Sequence, residues 1–148
     1  MASYFHQQFD LPERLIQGNE EIYLRHIFRD WSVNKYLFTD EEVAEYVRAY
    51  SQPGALRGGF NYYRAAAYED PPDWQAAAER QLPIPMLFLW GSWRARTSEA
   101  FGSGPLDEWR KLFPNAQGKL LGDYGHFLQT EAPELVNLEL VAFLTQGA

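Results

Sequence analysis

Apolar residues recur at helical spacing through the first half of this chain and then gather into short unbroken runs. From Leu11 to Trp74 there is no alternating run of the kind a half-buried strand requires. Leu11-Pro12-Glu13-Arg14-Leu15-Ile16 predicts a short helix closed by Gly18. Glu20 to Trp31 predicts a longer one whose apolar face carries Ile22, Tyr23, Ile27 and Trp31. Thr39-Asp40-Glu41-Glu42 has the form of a capping box, in which the Thr39 hydroxyl accepts from the third backbone N–H while Glu42 reaches back, so a helix from Asp40 to about Tyr50 follows. Gln52-Pro53-Gly54 breaks the chain. Ala55 to Tyr68 predicts an aromatic-rich helix despite the weakening Gly58-Gly59 pair, and Pro71-Pro72 is expected to end it. Asp73 to Gln81 reads as a solvated connection.

The pattern changes at Leu82-Pro83-Ile84-Pro85. Met86-Leu87-Phe88-Leu89-Trp90 is a continuous apolar run bounded by Pro85 and Gly91, as expected of a parallel strand buried on both faces. A loop rich in Gly, Ser and Arg then runs to Pro105. After it come a helix over Leu106 to Leu112, a second strand near Lys119 to Leu121, and a closing helix whose apolar residues run from Leu135 to Leu144. Helices alone, then strand-helix-strand-helix, predict an α/β chain in which a helical lid precedes part of a doubly wound parallel sheet.

Composition narrows the function more than the fold. At 148 residues, 46% of them hydrophobic, the chain has material for a sizeable core. A formal charge of -7 with 13 Lys and Arg leaves no basic stripe for phosphates or an anionic bilayer, so neither nucleic acid nor a membrane is an expected partner. No cysteine is available for disulfides, thiolate chemistry or metal binding. His6, His26 and His126 show no ligand spacing, and no metal or other cofactor is expected. Met1-Ala2-Ser3-Tyr4-Phe5-His6 has neither the charged nor the apolar region of a signal peptide, and no apolar run approaches membrane-spanning length, which points to a cytoplasmic setting.

The residue most suited to chemistry is His126. It follows the second strand on a Gly-His-Phe turn, where ligands bind in open α/β sheets, and a histidine there suits general base work. The competing reading is a structural turn histidine. In Asn61-Tyr62-Tyr63-Arg64 a tyrosine hydroxyl aimed into a dry pocket can donate to an oxygen or halide leaving carbon; the alternative is that these aromatics are core. His26 reads as a surface or packing residue of its helix, and His6 lies in a stretch with no assigned element. Asp123 is close to His126 in sequence but shares its short turn, which argues against a triad acid. Glu20-Glu21 and Glu41-Glu42 read as solvated first-turn charges favourable to the helix dipole.

An ordered set of motifs carries a resemblance. Leu11-Pro12-Glu13-Arg14-Leu15-Ile16, Tyr23-Leu24-Arg25-His26, Glu45-Tyr46-Val47-Arg48, Phe60-Asn61-Tyr62-Tyr63-Arg64-Ala65, Leu89-Trp90-Gly91 and Gly125-His126-Phe127 resemble, in this order, the epoxide hydrolase and haloacetate dehalogenase branch of the α/β-hydrolases. The resemblance implies a helical cap over residues 1–80 and the last two parallel strands and helices of the core over 81–148. It implies that a nucleophilic aspartate attacks an epoxide or a halogenated acid to give an alkyl-enzyme ester, which water activated by His126 hydrolyses. Tyr63 matches the cap tyrosine that donates to the epoxide oxygen or contacts the halide, and Asn61, Tyr62 and Phe127 are expected beside the substrate.

Such enzymes carry their active residues in the order nucleophile, acid, histidine. Here no Gly-x-Ser-x-Gly, cysteine or Gly-x-Asp turn precedes His126, and Trp90-Gly91-Ser92-Trp93-Arg94 lacks the aspartate common after this strand. The nucleophile is therefore expected outside these residues, in a complementing N-terminal half, and the chain is expected to be inactive alone. The Gly58-Gly59-Phe60-Asn61-Tyr62-Tyr63 wording favours epoxide over haloacetate. The reading from a different class is a non-catalytic binding or assembly protein built on the same fold.

Overall fold

The computed structural model describes residues 2–78, 80–92 and 105–146. The chain divides into two compact units: Met1–Phe28 with Phe38–Ala76, and Arg29–Leu37 with Ala77–Ala148. The Gly, Ser and Arg-rich loop expected before Pro105 lies largely outside the described residues.

The first unit is built from helices: α1 (Ala2–Gln7), α2 (Leu11–Ile16), most of α3 (Glu20–Trp31), α4 (Asp40–Tyr50), α5 (Ala55–Tyr68) and most of α6 (Asp70–Ala78). The capping box forms at α4. The Glu42 N–H donates to Thr39 Oγ1 at 3.2 Å while the Thr39 N–H donates to Glu42 Oε2 at 2.8 Å, so two otherwise orphaned groups are satisfied. Gly54 takes a left-handed conformation (φ 83°) at the start of α5, which a side-chain-free residue adopts without strain. α5 is the hub on which α1, α2 and α4 pack. Ile16, Leu56 and Phe60 form its core with Phe5, Tyr23 and Tyr50 around them.

Three expectations are corrected in this unit. Pro71 and Pro72 do not lead into a loop; they fall in the first turn of α6, where a missing N–H and a fixed φ cost nothing. The buried side of α3 carries Glu20, Leu24 and Phe28, whereas Ile22 is exposed. Phe28 selects this side by stacking on Phe38 (4.2 Å between centroids) and meeting the Tyr46 edge at 5.0 Å. Glu20 is consequently buried rather than solvated, and its Oε1 accepts from the Gly18 N–H at 3.0 Å.

In the second unit β1 (Met86–Trp90) and β2 (Ala116–Leu120) pair in parallel, with register from Met86↔Ala116 to Trp90↔Leu120. A parallel pair needs a crossover, and α7 (Pro105–Leu112) lies in it. β2 begins earlier than Lys119, because Ala116-Gln117-Gly118 has too little apolar alternation to announce a strand. Gly118 is there for close packing: a Cβ would stand 2.9 Å from both the Leu106 and Trp90 side chains. All five β1 residues are half-buried within this chain rather than enclosed on both faces. The short helix α8 (Leu128–Glu131) precedes α9 (Pro133–Thr145), whose Leu138, Val141 and Leu144 are 64%, 60% and 68% exposed. A helix apolar nearly all round is normally a core helix, so α9 presents a face made for burial. No helix among the described residues is long and apolar enough to cross a membrane.

Candidate functional site

In the first unit the aromatic residues around Tyr63 form one stack. His6, on α1, is 2% exposed; its ring lies parallel to Phe60 (7° between planes, 5.4 Å), and its centroid is 4.7 Å from that of Tyr63. His6 Nε2 is hydrogen-bonded to the Tyr23 hydroxyl at 2.8 Å, and its Nδ1 is buried without a partner. Burial holds the imidazole below its ordinary pKa and, with the neighbouring Tyr63 and Tyr50, raises that of the Tyr23 phenol, so both groups are neutral here. The sequence left His6 without an element; nothing local distinguishes a buried helix histidine from a surface one.

The sign of the resulting pH effect is fixed. Below the ordinary value of 6.5 the unfolded chain binds a proton at His6 that the folded chain excludes, so folding stability falls as pH drops through this window and is independent of His6 above it. Denaturant midpoints between pH 7.5 and 5 are expected to fall in the wild type and to fall less in His6→Phe.

Tyr63 itself is half-buried, and the Tyr62 ring stands perpendicular to it at 5.7 Å, largely in solvent. Asn61 is exposed and engaged: its Oδ1 accepts from Arg64 Nη1 at 2.9 Å. Arg64 is 4% exposed and forms a two-pronged pair with Glu13, Nη1 to Oε1 at 2.8 Å and Nη2 to Oε2 at 3.0 Å, with Nη2 also donating to the Gln8 carbonyl at 2.6 Å. Asn61 and Arg64 line a cavity of about 340 Å³ with Phe9, Ala65, Tyr68 and Glu69. Phe60 is buried, Tyr50 is half-buried, and Tyr46 is exposed. His26 is an exposed residue of α3.

In the second unit the two strands end at the same edge, and the chain beyond each is tied to the other. The Leu121 N–H donates to the Trp90 carbonyl at 2.9 Å, and the Ser92 N–H to the Gly122 carbonyl at 2.9 Å. Gly91 lets the chains touch, since a Cβ there would stand 2.1 Å from the Tyr124 carbonyl oxygen. His126 follows on this edge with an exposed side chain, its ring edge-on to Trp31 (4.9 Å, 76°) and to Phe127 (5.2 Å, 85°), and its N–H donates to the Trp31 carbonyl at 2.7 Å. Asp123 accepts from the Ser92 hydroxyl at 2.5 Å. His126 and Phe127 thus stand together in one unit, and Asn61, Tyr62 and Tyr63 in the other. No three His, Asp or Glu side chains come together as a metal set among the described residues.

Comparison with known proteins supplies the context for this geometry. No family model matches the chain. It is 30% identical over 129 residues to the soluble epoxide hydrolase of Corynebacterium sp. (strain C12), a match covering 86% of this chain and 42% of that protein. It is also 30% identical over 149 residues to epoxide hydrolase 4 of Mus musculus, covering 97% and 39% respectively. Among solved structures, the epoxide hydrolase CorEH superimposes with a TM-score of 0.84 at 27% identity, over 99% of this chain and 50% of that one. ALR0039 of Nostoc sp PCC 7120, described as a candidate α/β-hydrolase, gives a TM-score of 0.85 at 34% identity, over 97% and 48%. The chain spans less than half the length of the curated relatives it matches.

Proposed function

We propose that this chain, which belongs to the epoxide hydrolase branch of the α/β-hydrolases and matches the cap and C-terminal part of its members, serves epoxide hydrolysis in concert with a nucleophile lying outside these residues. The observation that carries the reading is the named relatives: proteins called epoxide hydrolases align over nearly the whole chain, and Gly125-His126-Phe127 follows the second of its two parallel strands. The same names favour an epoxide over a halogenated acid as substrate.

In this mechanism a carboxylate from outside these residues attacks an epoxide carbon. The C–O bond breaks, the Tyr63 hydroxyl donates to the departing oxygen, and an alkyl-enzyme ester forms. His126 then takes a proton from water, whose oxygen attacks the ester carbonyl. The ester C–O bond breaks and the diol leaves, the carboxylate is restored, and the imidazolium's proton returns to Tyr63, which gave its own to the departing epoxide oxygen. Asn61, Tyr62 and Phe127 flank the two working residues in sequence and contact the substrate. We assign residues 1–80 to the cap and 81–148 to the C-terminal part of the core.

The test is co-expression of this chain with the N-terminal half of the Corynebacterium soluble epoxide hydrolase, followed by measurement of diol formed from styrene oxide. Diol is expected only when both pieces are present. Tyr63→Phe is expected to lower kcat by about 10²-fold, as loss of a donor to a developing oxyanion does. A folded two-piece complex that makes no diol, or whose rate ignores Tyr63→Phe, overturns the assignment.

A further inference from the structure

One carboxylate outside the proposed catalytic pair makes an unusual set of bonds. Glu131 closes α8, and its side chain turns back toward the backbone. Oε1 accepts from the Gly125 N–H at 2.8 Å, while Oε2 accepts from the Val33 N–H at 3.0 Å and the Asn34 N–H at 3.4 Å. Three main-chain donors from two distant segments therefore converge on one carboxylate, and hydrogen bonds to a charged acceptor are about twice as strong as neutral ones. Between them the His126 N–H donates to the Trp31 carbonyl at 2.7 Å, and the Trp31 ring meets the His126 ring. Gly125 is enclosed at the centre: a Cβ would stand 2.4 Å from Glu131 Oε1 and from the Trp31 carbonyl oxygen, and 2.8 Å from Ser32 Cα.

We infer that Glu131 is a positioning residue for His126, a carboxylate bracket that holds the histidine turn against Trp31–Asn34 and so fixes where the imidazole points. Glu131 touches no reacting atom; it acts through the backbone on either side of the imidazole. The inference rests on His126 being the base, yet the bracket is testable without turnover. Ordinary packing residues stabilise the whole unit, whereas a bracket acts on the few amides it holds.

The experiment is NMR on the full 148-residue chain, reading amide exchange and the His126 imidazole titration in the wild type, Glu131→Ala and Glu131→Gln. In Glu131→Ala the Gly125, His126 and Val33 amides are expected to exchange at least about tenfold faster while β1 and β2 amides keep their protection, and the imidazole midpoint is expected to move. Glu131→Gln keeps the shape but faces N–H donors with one amide NH₂, so it is expected to release one side of the bracket only. It also serves if the alanine variant does not fold. Unchanged Gly125 and His126 exchange and titration in the variants, a loss of protection spread evenly over the unit, or unprotected wild-type amides overturn the inference. A bracket that behaves as expected in a complex that makes no diol removes the epoxide reading and leaves the bracket standing.

Discussion

In the two-piece complex, His126→Ala is expected to abolish steady-state diol formation while still consuming one equivalent of epoxide. Under the proposed mechanism the two chemical steps need different groups: attack on the epoxide would use the external carboxylate and the Tyr63 donor, whereas ester hydrolysis would need a base to deprotonate water. Removing only the base leaves the first step and blocks the second. Loss of a positioned general base costs about 10²–10⁴ in rate, so the alkyl-enzyme ester is expected to accumulate. Intact-mass analysis of the nucleophile-bearing piece reads this directly, as an added epoxide mass persisting in His126→Ala and absent at steady state in the parent. If His126 is a structural turn residue, the variant will turn over normally or lose both steps together.

The second large effect is on folding. Glu13→Ala is expected to destabilise the helical unit by about 3–5 kcal/mol, because it leaves the guanidinium of Arg64 buried with no countercharge. Arg57 also reaches Glu13, at 3.2 Å, but is half in solvent and adds little. Replacing both partners, Glu13→Met with Arg64→Met, is expected to cost less than Glu13→Ala alone, since apolar side chains need no countercharge. Denaturant midpoints of Glu13→Met, Arg64→Met and the double variant measure the coupling. The same pair sets an acid limit. Burial raises the Glu13 carboxyl pKa, but the hydrogen bonds from Arg64, a backbone bond and the charges of Arg64 and Arg57 outweigh this and hold it below its ordinary value of 4.5. The stabilisation is therefore complete above pH 4.5 and is lost as pH falls through the lowered folded value. Glu13→Gln is expected to flatten that acid limb.

Both predictions concern residues that sat inside sequence motifs, but the motifs conveyed only part of their role. Glu13 and Arg64 belong to two of the recurring words, yet helical spacing gives no sign that they meet across 51 positions. Tyr63 and His126 were singled out by type and context: a tyrosine in an aromatic helix and a histidine on a turn after a strand. Glu131 carries no local signal of its role, since its donors Val33 and Asn34 are 98 and 97 residues away. His6 carried no local signal for the same reason; the rings that bury it come from α3 and α5.

What the sequence determined by itself was what short-range physics fixes. The capping box started α4 within a few residues of backbone, the apolar run between Pro85 and Gly91 set β1, and the change from helical spacing to short apolar runs marked where the sheet begins. Tertiary structure decided everything that depends on a partner far along the chain. Periodicity says that a helix has an apolar side but fixes that side only to within about one residue's rotation, so it took Phe38 and Tyr46 to turn Leu24 and Phe28 inward and leave Ile22 in water. A strand such as Ala116–Leu120, with little apolar alternation of its own, exists because β1 supplies its hydrogen bonds and a glycine admits the Trp90 and Leu106 side chains. Charge pairing follows the same rule: Glu131 looks like any solvated carboxylate until the fold brings the Val33 and Asn34 N–H groups to it, because such compensation is a property of the assembled surroundings and not of the residue.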